Sequence, residues 1–134
     1  MLAQLQPAVK RLFAGLQYGV GMRGGGETIV HNVRRYFEDS TSRRVDCVVC
    51  TLDCCNAFNA VKRTAIADAL ESHPELKVLT PLLQLEYGGH TRLLYRDGDL
   101  RSCSGVRQGS VLGPFWFALS VHSRLREVLD KFHD

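Results

Sequence analysis

Leu2, Leu5, Val9, Leu12, Phe13 and Leu16 recur at helical spacing, which predicts an amphipathic N-terminal helix. The passage GVGMRGGGE that follows is too rich in glycine for either regular element and reads as loop. Ile29, Val30, Val33 and Phe37 mark a second helix, closed by the polar stretch 39–44. Residues 45–52 then form a short, partly β-branched apolar run between polar flanks, the pattern of a central strand covered on both faces. Val61, Ala65, Ile66, Ala69 and Leu70 predict a third helix with Asn59 as its cap. Leu76, Leu79, Leu82 and Leu83 predict a fourth. Residues 91–95 and the stretch from Leu100 onward read as a hairpin closed by an Asp97-Gly98 turn. A last helix opens at Gly113-Pro114, with Ala118, Val121, Leu125, Val128 and Leu129 inward. No repeat or linker interrupts the 134 residues, so one α/β domain, or part of one, is expected, short of strands for its helices.

Composition changes this picture little. The chain is 45% hydrophobic and 23% charged, a balance that argues against disorder. Its net charge of +3, carried mostly by scattered arginines, permits a nucleic-acid partner without requiring one. Five cysteines, an odd number, and the lack of a signal peptide point to a reducing intracellular setting, nucleus or cytoplasm unresolved. No apolar run approaches the ~20 residues needed to span a bilayer, so no membrane association is expected.

Four of those cysteines, Cys47, Cys50, Cys54 and Cys55, crowd one window and raise a zinc reading. Strand alternation would point Cys47 and Cys50 to opposite faces, which favours small buried hydrophobes instead. His31, His73, His90 and His122 show no spacing that suggests a site. Gly19, Gly21 and Gly24 match the dinucleotide-binding pattern G-x-G-x-x-G, but that motif needs a preceding strand and here a helix precedes it. SGVRQGSVLGP, residues 104–114, is a turn before a helix or a binding loop. Gly109 would let backbone approach a flat ligand there, and Gln108 can both donate and accept. Asp53 ends the apolar run and Phe58 lies just beyond it. An acid in that place can hold a metal beneath a nucleotide, or merely end a strand, and Phe58 can equally be core.

Three segments in order, QYGVGMRGGGETIVHNVR (17–34), LDCCNAFNAVKR (52–63) and GVRQGSVLGPFWFAL (105–119), resemble the reverse transcriptases of non-LTR (LINE-type) retrotransposons over nearly the whole chain. The resemblance implies a partial right-hand polymerase palm with part of the fingers. Residues 1–44 would be fingers-like helices and a glycine-rich loop, and 45–134 a palm-like strand, helices and hairpin. It implies template-directed nucleotidyl transfer with two Mg²⁺ ions, an RNA template, a DNA primer and deoxynucleoside triphosphates. Asp53 would be the first palm carboxylate and a metal ligand, with the backbone carbonyl of Cys54 beside it. Phe58 would lie beneath the incoming sugar and exclude a 2′-hydroxyl by bulk. Gln108 and Gly109 would lie along the template base and nucleotide, Arg107 near phosphate or template, and Gln17 near the template in the fingers. Ser110 stands where many members carry an acid, and no Asp-Asp pair occurs in the chain. The second acidic element would follow the last helix, so the chain is expected to be the central part of such a domain, inactive alone and poorly soluble. The alternatives are a decayed element retaining nucleic-acid binding, or an unrelated cysteine-based metal module.

Overall fold

The computed structural model describes residues 2–89 and 91–132, so His90 among the sequence candidates lies outside it, as do the side chains of Leu2 and Thr91. In chain order the elements are α1 (Leu2–Phe13), α2 (Gly25–Arg43), α3 (Ala57–Ala60), α4 (Arg63–Ser72), a 3₁₀ turn (Pro74–Leu79), α5 (Thr80–Tyr87), β1 (Thr91–Tyr95), β2 (Gly98–Ser102) and α6 (Gly113–Asp130).

The core is helical. Phe13 of α1, Ile66 and Leu70 of α4, Leu76 and Leu79 of the 3₁₀ turn, and Trp116 and Leu119 of α6 are its most buried large side chains. The leucine stripe after Pro74 points inward as expected, with Leu83 also buried and Leu82 packed against the same cluster. The proline before that stripe suits the first turn of a helix, where its missing N–H leaves no bond unmade. Pro114 does the same for α6. The α6 stripe is inward only in its first half: Phe115, Trp116, Ala118, Leu119 and His122 are buried, whereas Leu125 and Val128 are exposed, against expectation. α6 packs chiefly on α4, and its buried positions end at His122.

Four further expectations are corrected. The run 45–52 is not a strand: it joins no sheet, with Val48 84% and Leu52 91% exposed. A strand is a property of pairs, and the one sheet among the described residues is the two-stranded antiparallel β1–β2 hairpin, which does not reach this segment. The face-alternation argument against clustered thiols therefore loses its strand. Asn59 does not cap the third predicted helix; it sits inside α3, its amide donating to Asn56 Oδ1 at 2.6 Å, and Lys62 precedes α4 in extended backbone. The polar stretch 39–44 does not close α2 early, because Ser40 and Thr41 hydroxyls donate to the Tyr36 and Phe37 carbonyls at 2.8 and 2.9 Å. Such back-bonds give these side chains an internal partner, and the helix runs on to Arg43. The glycine passage is loop only through Gly24; Gly25 and Gly26 begin α2.

The hairpin forms, with its turn one residue earlier than expected. Tyr95 pairs with Gly98 and Leu93 with Leu100, so the turn is Arg96-Asp97, with Arg96 at φ 51°, and Gly98 already belongs to β2. Arg92 and Asp99 form an ion pair across the two strands. The glycines 19, 21 and 24 follow a helix, not a strand, as the dinucleotide argument required. Among the described residues, no helix is long and apolar enough to cross a membrane.

Candidate functional site

A cleft of about 340 Å³ lies where α3, the loop after β2 and the start of α6 meet, lined by Phe58, residues 107–110, Gly113 and Pro114. Four of the sequence candidates, Phe58, Arg107, Gln108 and Gly109, are thus brought to one surface from positions about fifty residues apart. Phe58 is half-buried, and its ring meets that of Phe117 on α6 at a tilt of 60°, with centroids 5.5 Å apart. Arg107, Gln108 and Gly109 are exposed on the opposite wall.

That wall carries no helix or strand, so its backbone must be held by other means. Two main-chain bonds dock it on α3 and the residue after it: Val106 N–H donates to Phe58 O and Gly105 N–H to Val61 O, both at 2.8 Å. Val106 is buried in the core, which anchors the loop by its side chain as well. Gly105 has φ +75°, and a Cβ there would stand 2.7 Å from Phe58 O and 2.8 Å from Asn59 Cα. Only glycine fits so close to the α3 backbone. Arg63, the first residue of α4, then ties the loop from below: Nε donates to Gly105 O at 2.9 Å, Nη1 to Ser102 O at 2.8 Å, and Nη2 to Ser102 Oγ at 2.7 Å and Ser104 O at 3.0 Å. The buried Tyr87 lies under the same guanidinium, 4.8 Å from its ring centre, and its hydroxyl accepts the Arg107 N–H at 3.0 Å. Glu86 completes the frame by accepting the Trp116 indole N–H at 2.8 Å and the Ser110 hydroxyl at 3.3 Å.

Arg63, Glu86, Tyr87 and Gly105 were not singled out from sequence. Tyr87 and Glu86 continue the α5 stripe from Leu83 at i+4 and i+3, so a polar tip at a core-facing position was the available signal. Arg63 left none, since its partners are 39–42 residues away.

The remaining candidates lie elsewhere. Asp53 and Cys54 are exposed on the unpaired segment and do not line the cleft. Gln17 is half-buried, its side-chain oxygen accepting the Gly19 N–H at 2.8 Å, and it lines a separate depression with Lys10, Met22 and Arg23. Mg²⁺ prefers six oxygens in fixed geometry. Among the described residues no three His, Cys, Asp or Glu side chains converge on one point. A lone exposed carboxylate at Asp53 does not fit a closed two-ion site. The four crowded cysteines are likewise free thiols, three of them exposed.

Two of the histidines are nonetheless neighbours in the fold. His73 and His122 come within 6.1 Å ring to ring, and Phe13 stands 5.5 Å from His122 on its other side. Burial holds the His122 imidazole below its ordinary pKa, and the neighbouring His73 and Arg126 push in the same direction. This pair belongs to an open depression between α1 and α6, not to the cleft.

Chemically, the cleft offers an aromatic ring and a proline for a flat or apolar moiety, a glycine that leaves backbone accessible, an amide that donates and accepts, and a guanidinium on the rim. No protein-family model matches the chain. No solved structure matches it either. The chain is 31% identical over 136 aligned positions to the retrotransposable element SLACS 132 kDa protein of Trypanosoma brucei gambiense, a match that takes in 98% of this chain and 11% of that protein. The similarity supports a retroelement-related origin for the chain.

Proposed function

We propose that the chain carries the nucleotide-facing part of a reverse transcriptase domain, a partial right-hand palm with part of the fingers, acting with an RNA template, a DNA primer and deoxynucleoside triphosphates. The observation that carries this reading is the cleft itself, where Phe58 faces the loop of Arg107, Gln108 and Gly109. These are the residues that the resemblance assigns to the incoming nucleotide. The similarity to a retrotransposon protein supports the same reading.

In this reading the Phe58 ring, braced on Phe117, presents bulk to the sugar, so an extra 2′-oxygen meets carbon. Gln108 and the open backbone at Gly109 lie along the base, and Arg107 supplies positive charge for phosphate. Asp53 belongs to the metal-holding half of the reaction. As one exposed carboxylate it cannot hold two ions, so the 134-residue chain is expected to give no primer extension with Mg²⁺ or Mn²⁺. A second reading, a decayed element that retains only nucleic-acid binding, draws on the place of Asp53 outside the cleft.

The test uses the single tryptophan, Trp116, whose indole shares Glu86 with the cleft residue Ser110. Titration with a deoxynucleoside triphosphate is expected to change Trp116 fluorescence saturably, with a ribonucleoside triphosphate binding more weakly. Phe58→Ala should remove that preference. Equal affinity for the two nucleotides in the wild type, or no saturable change with either, would refute the reading.

A further inference from the structure

We infer that Tyr87 and Arg63, which lie behind the cleft wall and not in the cleft, are positioning residues that set the backbone of Arg107, Gln108 and Gly109 for ligand. The inference rests on the reading of the cleft as nucleotide-facing and adds what determines its affinity. The wall has no regular structure to define it. Between the end of β2 and Arg107, the carbonyls of Ser102, Ser104 and Gly105 all accept from the single Arg63 side chain. A planar fork with several donors can meet three diverging carbonyls at once; a lysine ammonium on a flexible stem cannot hold them in that geometry. The Val106 N–H is held by Phe58 O, and the N–H after it, that of Arg107, goes to the Tyr87 hydroxyl. It is the last main-chain donor with a fixed partner before Gln108 and Gly109, whose turn is closed by the Ser110 N–H donating to Arg107 O at 3.2 Å; Gly109, at φ +84° with open space around it, adds no restraint of its own.

Tyr87 and Arg63 also support each other. The Tyr87 ring is buried with the Arg63 guanidinium 4.8 Å from its centre, which holds the phenol's bearing toward the loop. Removing the phenol oxygen alone leaves ring packing and this stacking intact, yet takes the acceptor from a part-buried N–H.

Three measurements on the full chain test this. Tyr87→Phe is expected to raise the dissociation constant for a deoxynucleoside triphosphate about fivefold, the size of one lost hydrogen bond, and Arg63→Lys to raise it roughly tenfold or more. Thermal melting should show Tyr87→Phe still cooperatively folded. Amide hydrogen exchange at Arg107, measured without ligand, should be about fivefold faster in Tyr87→Phe than in wild type. Faster exchange with weaker nucleotide binding supports the inference. Unchanged exchange at Arg107, or unchanged affinity in a protein that does bind nucleotide, overturns it. Faster exchange in a chain that binds no nucleotide supports the positioning of the wall and refutes the nucleotide reading instead.

Discussion

Gly105 and Gly109 permit a paired experiment, because they share a backbone conformation and differ only in surroundings. Both have positive φ, +75° and +84°, so alanine at either incurs the left-handed penalty of roughly 1–2 kcal/mol. At Gly109 nothing stands within 4 Å of the added Cβ, and that penalty is the whole effect. At Gly105 the Cβ would meet Phe58 O at 2.7 Å, and Asn59 Cα and Asn59 O at 2.8 Å each. These are backbone atoms and cannot rotate away, so the loop must lift from α3. Lifting strains packing by about 1–3 kcal/mol and weakens the Gly105–Val61 and Val106–Phe58 bonds at about 1 kcal/mol each. Gly105→Ala should therefore cost about 3–5 kcal/mol more than Gly109→Ala, roughly 10–20 °C in melting temperature for a chain of this size. Circular dichroism melts of the two variants beside wild type make the comparison. A Gly105→Ala protein too unstable to melt cooperatively, next to a folded Gly109→Ala, satisfies the same ordering. Equal losses in the two variants would mean that the loop is not seated on α3, and the described cleft would lose its wall.

Three other outcomes are expected. Because the folded-state pKa of His122 lies below its ordinary 6.5, the unfolded chain takes up the proton first. Its contribution to stability is thus complete above pH 6.5 and is lost as pH falls below it; urea midpoints at pH 7.5 and 5.5 should fall less in His122→Gln than in wild type, and an identical fall in both would refute this. Asp53→Ala should leave stability within about 0.5 kcal/mol of wild type, because the side chain is exposed and forms no bond among the described residues; a larger loss would show that the carboxylate is tied into the fold. Limited trypsin digestion should cut after Arg43 or Arg44, at the entrance to the unpaired segment, before it cuts after Arg63, whose side chain is engaged in four hydrogen bonds; early cleavage at Arg63 would contradict the described loop.

What was legible in the sequence is what one element can decide for itself. The stripes of α1, α4, the 3₁₀ turn and α5 place Phe13, Ile66, Leu70, Leu76, Leu79 and Leu83 in the core, since a helix displays its buried face within two turns. Residues 45–52 show the limit: their apolar content says that the segment needs cover, not which partner provides it. The polar end of α2 was misread for a related reason, since serine and threonine terminate a helix or bond back into it according to local geometry. In the site, the meeting of Phe58 with residues 107–109 followed from resemblance, not from spacing. The means of that meeting, one arginine fork and one phenol, leave no periodic trace.

The two halves of the proposed chemistry rest on supports of different kinds. The cleft wall is tied to α3, α4 and α5, and its ring is braced on α6, so its geometry follows from the helical core. Asp53 hangs on a segment with no paired strand, among exposed Val45, Val48, Val49 and Leu52. Apolar residues on α2, including Ile29, Val30 and Phe37, are exposed as well. In the 45–52 segment the Val45 N–H donates to Ser40 O of α2 at 3.1 Å, but the other main-chain groups have no main-chain partner among the described residues and the valines are exposed. In the proposed reading, substitutions at Gly105, Arg63 or Tyr87 therefore act on nucleotide binding through the folded core. Substitution at Asp53 acts only where something else has first ordered the segment that carries it. Unchanged nucleotide binding and stability in Asp53→Ala, with loss of both in Gly105→Ala, is the pattern that this division of support requires of the proposed reading.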